Sequence, residues 1–385
     1  MKIIIAPDSF KGSLSAVEAA AAIAKGVRKA FSDVETVLLP IGDGGEGTME
    51  TLVAATGGKV KALSVTGPLG NRVEAAYGVL GDGKTCVIEM AAASGLHLVP
   101  EGELAPLKTT TFGTGELIRQ ALDDGFSSFI VGLGGSATND GGAGMLQALG
   151  LRIFDNSGQE IGPGGGELEK ASGLDFTNFD ERIRQSRFVI ASDVENPLIG
   201  LDGASHVFGP QKGASPKDVE FLDRSLTNWA DRIREATGME LHNRPGAGAA
   251  GGIGGAFQAF FPSELKRGID VVLDYIGLDG HLQDADLVMT GEGKVDRQTA
   301  FGKTALGVAQ RADGRNVPTI ILAGSVGKGT DVLHNYGVVS VHSIINSPMT
   351  LQEAMQNAAE LLEESAEQIV RTYFHRYTTK KGFSD

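Results

Sequence analysis

The chain has 385 residues, 41% of them apolar and 21% charged, which is longer than one hydrophobic core usually grows and points to two domains. Its 48 acidic against 34 basic residues give a net charge of −14, which argues against a nucleic-acid or anionic-membrane partner, since both need a basic face. An anionic ligand must then be met locally by lysines, arginines, backbone amides or a metal.

The lone Cys86 excludes an intramolecular disulfide framework and suits a reducing compartment; lying in the apolar run Thr85–Met90, it reads as a core residue. No window approaches the roughly 20 apolar residues of a membrane span. The opening MKIIIAPDSF is too short an apolar run for a signal peptide, so a cytoplasmic protein is expected. Glycine is the compositional outlier: 55 residues, about twice the usual share of roughly 7%, clustered between apolar runs as in many tight turns.

In chain order, Ile3–Ala6 predicts a buried strand, turning at Pro7-Asp8-Ser9. Ser13 or Ser15 can cap an alanine-rich amphipathic helix over Ala16–Phe31. Glu35–Leu39 predicts the next strand, leading through Gly42-Asp43-Gly44-Gly45-Glu46-Gly47 to a helix over Thr48–Ala55. This opening alternation argues for a parallel sheet. The pattern then changes: Val60–Val65, Arg72–Leu80 and Thr85–Met90 read as antiparallel hairpin strands between Gly-Pro and Gly-Asp-Gly turns.

Helical character resumes over Thr114–Asp123. Phe188–Ala191 predicts a strand ending at Ser192-Asp193, and Pro216–Thr237 a long amphipathic helix carrying the sole Trp229. Pro245–Phe257 is a Gly/Ala run suited to close backbone approach. Leu287–Thr290 predicts a strand ending in Gly291-Glu292-Gly293, with a helix over Thr304–Arg311 and strands over Thr319–Ala323 and Val338–Ser343. Leu351–Tyr373 reads as one long helix with an apolar stripe that begins at Leu351.

The expected architecture is α/β: a discontinuous, doubly wound parallel-sheet domain (1–66 and 285–378), an inserted α/β domain with antiparallel hairpins (67–284), and a disordered tail (379–385).

The chemistry centres on residues 129–145, FIVGLGGSATNDGGAGM. A β-branched run opens into Gly132, Gly134 and Gly135, then Ser136, Thr138, Asn139 and Asp140, then Gly141 and Gly142 and a helix-forming run. Strand, glycine-rich loop and helix N-terminus is a geometry in which backbone amides converge on a phosphate or carboxylate. Residues 78–85, GVLGDGKT, also satisfy the pattern G-x-x-x-x-G-K-[ST], but strand formers follow where a helix is needed. A hairpin turn is expected there instead of a phosphate loop.

In open α/β sheets ligands bind beyond the carboxyl ends of the strands. Asp8, Asp43, Asp193 and Glu292 fall at or just after such ends, with Asp296 four residues on, so one acidic cleft is expected. Lys11 and Lys212, each among small residues in turns, are the basic candidates, with Lys294 and Lys303 beside the Gly-Glu-Gly segment. The seven histidines are scattered and no Cys/His set has zinc spacing; strand-end carboxylates suit Mg²⁺, which completes its shell with water and phosphate oxygens. No G-x-S-x-G elbow is present and Ser136 has no histidine nearby, which argues against a triad hydrolase.

Together IAPDSFKGSLSA, IGDGGEGT, VTGPLG, IEMAAASGL, GTGELI, GLGGSATNDGGAGM, FGPQKGAS, PGAGAAGGIGGA and TGEGKVD resemble the type-1 glycerate kinases, the bacterial glycerate 2-kinases, from Met1 to about Tyr377. The resemblance implies ATP- and Mg²⁺-dependent phosphorylation of D-glycerate to 2-phosphoglycerate by a two-domain enzyme with a cleft between its domains.

On that reading Asp193 is the base that accepts the hydroxyl proton, and Lys11 and Lys212 neutralise phosphate oxygens or hold the substrate carboxylate. Asp8, Ser9, Asp43, Gly134, Gly135, Ser136, Asn139 and Asp140 are candidates for binding substrate or phosphate. Gly291, Glu292 and Gly293 are candidates for the nucleotide, and Asp296 with Glu292 for the metal. Partners are then small molecules only, in a monomer or homodimer. The residues leave open the 3-hydroxyl of glycerate, another small hydroxy acid, or an organic-acid sensor without turnover. They also leave open which anion enters the 132–144 loop.

Overall fold

A computed structural model of the chain describes residues 1–42, 44–45, 47–297, 299 and 304–375. Asp43, Glu46, Lys303 and the tail 379–385, all singled out above, lie outside the described residues. In chain order the strands are β1 (Lys2–Ile5), β2 (Glu35–Leu38), β3 (Lys59–Thr66), β4 (Arg72–Val79), β5 (Thr85–Glu89), β6 (Ser128–Gly132) and β7 (Arg152–Phe154). They continue with β8 (Gly173–Asp175), β9 (Arg187–Ala191), β10 (Ser263–Lys266), β11 (Leu287–Val295), β12 (Thr319–Val326) and β13 (Val338–Ser343).

The chain divides into two compact units, Met1–Asp43 with Val272–Asp385, and Gly44–Val271. The first division falls before the helix Thr48–Thr56, earlier than the sequence suggests, because β3 pairs along its whole length with β4 and so joins the second sheet. The second falls at Val271/Val272.

The first unit is a five-stranded, all-parallel sheet in the order β13-β12-β11-β1-β2. It is wound on both faces. Ile3, Ile5, Met289 and Leu322 pack with the helices Ala16–Ala30 and Ala358–Tyr373, whereas Ile321 and Ala323 pack with the helix Thr304–Asp313. Ser15 caps the first of these helices through a reciprocal capping box with Glu18.

Two expectations change here. The predicted helix over Leu351–Tyr373 is two helices, Leu351–Gln356 and Ala358–Tyr373, broken at Asn357, and Leu351 is 77% exposed instead of opening a core stripe. Gly291-Glu292-Gly293 is not a turn after a strand: β11 runs on through it, paired with β12 at Gly291↔Leu322 and Glu292↔Ala323. Glycine is needed at 291 because a Cβ there would lie 2.2 Å from the carbonyl oxygen of Leu322.

The second unit is a six-stranded mixed sheet, β10-β9-β6-β5-β4-β3, with the small antiparallel pair β7-β8. The hairpins β3-β4-β5 are antiparallel as expected, but β5 also pairs in parallel with β6, which joins the hairpins to the parallel half. One continuous core surrounds Phe129, Val131, Phe188 and Ile190. Cys86 is fully buried within it, and burial pushes its thiol up to about 12, as suits a core residue. The pattern at 78–85 forms the β4–β5 turn, where Asp82 accepts hydrogen bonds from the amides of Lys84 and Thr85. Among the described residues no helix is long and apolar enough to cross a membrane.

Candidate active site

In the second unit four neighbouring parallel strands end level. Glu89, Gly132, Ala191 and Lys266 stand in one row of the ladder from β5 through β6 and β9 to β10. The segments leaving that row therefore emerge from one sheet edge, where α/β sheets place their ligands. From β6 comes the loop Leu133–Gly142, from β9 Ser192-Asp193, and from β10 Arg267-Gly268. The amide of Gly268 donates to Asp193 Oδ1 at 3.1 Å, which fixes an otherwise exposed carboxylate at the strand end. Glu89 accepts from the amide of Met49 at 2.7 Å.

The loop from β6 is held from several sides. Gly135 adopts φ +71°, a left-handed conformation that turns the chain sharply. Beyond it the backbone pairs with residues 94–96: Leu96 donates to the carbonyl of Gly135 and Ala137 to that of Ser94. Gly134 and Gly135 keep their amides out of any hydrogen bond among the described residues, and Gly135 is exposed. Those two amides, at the loop's less buried positions, are among its open donors, unlike the amides of the helix end.

The amides at the start of the short helix Ala143–Ala148 are already taken. Asp140, fully buried, accepts from the amides of Gly142 at 3.2 Å and Gly144 at 3.3 Å, and from the amide and hydroxyl of Thr111 at 2.8 Å each. The helix N-terminus thus binds an anion from its own loop, and the expectation that it meets an external one is corrected.

Lys212 lies only 2% exposed at the end of the turn Pro210–Lys212, which follows the helix Ala204–Phe208. Its ammonium donates to Ser136 Oγ at 2.8 Å and to the carbonyl of Thr138 at 2.7 Å. Burial drives its pKa down to about 7, opposed by the negative charge of Asp140. Asn139 donates to Ser205 Oγ at 2.9 Å, and its Oδ1 and the hydroxyl of Thr138 are buried without a partner among the described residues.

Several supports of this loop carried no sequence signal strong enough to nominate them. Thr109 donates to the carbonyl of Ala137, Thr111 to Asp140, and Trp229 Nε1 to the carbonyl of Gly141 at 3.0 Å. The Gly/Ala run did predict close approach. In the helix Ala249–Phe260, residues Ala250, Gly251 and Gly252 are left-handed, and a Cβ at Gly251 would lie 2.0 Å from the carbonyl oxygen of Thr138. Trp229 comes from the helix Pro216–Thr237, whose start is fixed by a Ser215–Asp218 capping box and by Pro216.

The first unit gathers the other candidates at the carboxyl ends of β1 and β11. Asp8 accepts from the amide of Ser9 at 2.6 Å and from the hydroxyl of Thr304 at 2.6 Å, and its own amide donates to the carbonyl of Gly291. Lys11 is exposed, with its backbone close to Gly293. Glu292 is nearly buried and accepts from Thr299 Oγ1 at 3.1 Å; the same hydroxyl oxygen accepts from the amide of Asp296 at 3.2 Å. Lys294 pairs with Asp296 at 2.9 Å.

Among the described residues no group of three or more His, Cys, Asp or Glu side chains could hold a metal alone. Glu292 and Asp296, four residues apart, are hard carboxylate donors of the kind that fits an ion taking the rest of its shell from phosphate and water oxygens.

Comparison with known proteins gives the family and the fold. The model of the glycerate kinase family matches residues 3–374. A glycerate kinase of Bacillus subtilis is 51% identical over 96% of this chain and 97% of that protein. A glycerate 2-kinase of Escherichia coli is 49% identical over 97% of this chain and 98% of its own length. The crystal structure of a putative glycerate kinase 2 from Salmonella typhimurium LT2 superposes with a TM-score of 0.90 at 48% identity, covering 98% of this chain and 99% of that one.

Proposed function

The chain belongs to the glycerate kinase family and is a phosphotransferase acting on an alcohol; from that premise we propose that it converts D-glycerate and ATP to 2-phosphoglycerate and ADP. The 2-position is supported by the name of the Escherichia coli relative. The observation that carries the mechanism is the level row of strand ends from which Asp193 and the Ser136 loop both depart.

The glycerate 2-hydroxyl oxygen attacks the γ-phosphorus in line. The new O–P bond forms as the bond to the bridging β,γ-oxygen breaks, and ADP leaves with that electron pair. Asp193 accepts the hydroxyl proton, and the amide of Gly268 holds the carboxylate in place. Lys212, Ser136 and the open amides of Gly134 and Gly135 hold an anionic group of one ligand, and Asn139 lines the same loop.

In the first unit the exposed Lys11 offers its ammonium to a second anionic group, and Asp8, Ser9 and Asp43 belong to its ligand-binding set. Gly291, Glu292 and Gly293 serve the nucleotide. Glu292 and Asp296 would hold its Mg²⁺, which when bound neutralises phosphate oxygens.

Incubation with D-glycerate and Mg·ATP followed by ³¹P NMR tests this reading. It predicts the 2-phosphoglycerate resonance; the 3-isomer, or ADP with free phosphate alone, would overturn it.

A further inference from the structure

Asp140 presents a physical puzzle. Its carboxylate is fully buried at the base of the Ser136 loop, yet its oxygens are occupied by four donors: the amide and hydroxyl of Thr111, and the amides of Gly142 and Gly144. Of these partners only the Thr111 hydroxyl could accept a hydrogen from a protonated carboxyl; the three amides can only donate, so the donor set favours the anion. Burial, the larger effect, raises the carboxyl's pKa, and the four donors offset only part of that rise, so the charge needs further support. A buried charge of this kind is costly unless another charge answers it. The one that does is Lys212, itself 2% exposed and bonded to Ser136 and Thr138 of the same loop.

We infer that Asp140, clamped by Thr111, is a positioning residue whose negative charge keeps Lys212 a cation and so keeps the Ser136 loop able to take an anionic ligand. It touches no ligand. The geometry favours this over direct binding, because a carboxylate enclosed by its own loop has no oxygen to offer and would repel a phosphate or carboxylate. Among the described residues Asp140 is the ionisable group whose field acts on Lys212.

Thr111 is bonded twice over: its hydroxyl donates to Asp140 and accepts from the amide of Met145 at 2.9 Å, so it locks the carboxylate to the helix start. The inference rests on the role proposed above for Lys212.

The sign of the effect follows. An ammonium near pKa 7 is lost as pH rises through that value, so kcat/KM, which reports the free enzyme, should fall on the alkaline side. Removing the charge of Asp140 takes away the attraction that opposes burial, so Lys212 deprotonates at lower pH still.

The test is the pH profile of kcat/KM for wild type, D140N, T111V and T111S. D140N should move the alkaline limb down by about one unit or more, while activity well below the limb is largely kept. T111V should move it in the same direction by less, and T111S should restore the wild-type profile; this pair decides the matter if D140N fails to fold. A uniform loss at every pH with the limb unmoved would mean a merely structural aspartate and overturn the inference. A K212M enzyme with wild-type kcat/KM would instead overturn the role of Lys212 on which it rests.

Discussion

The loop after β6 and the Gly-Glu-Gly segment of β11 look alike in the sequence, each an apolar strand running into glycines, yet they use glycine for opposite ends. After Gly132 the chain leaves the sheet: Gly135 turns left-handed, two amides stay open, and a buried lysine closes in from elsewhere in the unit. At Gly291 the chain stays in the sheet, and the missing side chain lets the carbonyl of Leu322 approach. The first arrangement leaves backbone donors open among the described residues. The second packs two strands, with Glu292 inside β11 and Asp296 just past its end. A glycine cluster after a strand is therefore a statement about close approach, and only the contacts reveal whether a ligand or another strand is what approaches.

The comparison is broken most severely at the base. Asp193→Asn keeps the shape and the contact with Gly268 but cannot take a proton, so kcat should fall by about 10²–10⁴-fold with both substrates still bound. Turnover near the wild-type rate would move the base elsewhere.

The two glycines can be set against each other directly. Gly135→Ala should lower kcat/KM about tenfold or more by disturbing the open amides, with a stability loss of about 1–2 kcal/mol for the left-handed residue. Gly291→Ala should cost about 1–3 kcal/mol in stability through overpacking, with kinetics close to wild type in the folded fraction. Denaturant melts and steady-state kinetics on the pair read both quantities. If the two variants lose stability and activity in the same proportion, the distinction fails.

The smallest effect is expected where the motif misleads. Lys84→Ala lies in the β4–β5 turn, where its amide and not its ammonium makes the recorded bond to Asp82. It should leave turnover unchanged and shift stability by no more than about 0.5 kcal/mol.

Much of the layout was legible because it is local. Short apolar runs gave the strands, and Ser15 and Pro216 gave helix starts. Lys212 was legible because a lysine among glycine and proline has little reason to be solvated, although its near-complete burial was not. What stayed hidden depends on contacts between distant segments. Thr109 and Thr111 read as ordinary polar residues until Ala137 and Asp140 are brought against them, and Trp229 reads as core until Gly141 meets its indole nitrogen. Asp140 looked like a ligand for the same reason: the sequence places it in the glycine-rich loop without revealing that the loop's own amides consume it.

The claim on which the rest depends is that the buried ammonium of Lys212 grips an anionic group of one ligand. Calorimetric titration of D-glycerate and of Mg·ATP, each alone, into wild type and Lys212→Met tests it most directly. The account predicts at least about a tenfold loss of affinity for one ligand and none for the other, the size expected for a charge-assisted hydrogen bond. Unchanged affinity for both in a correctly folded variant would contradict it.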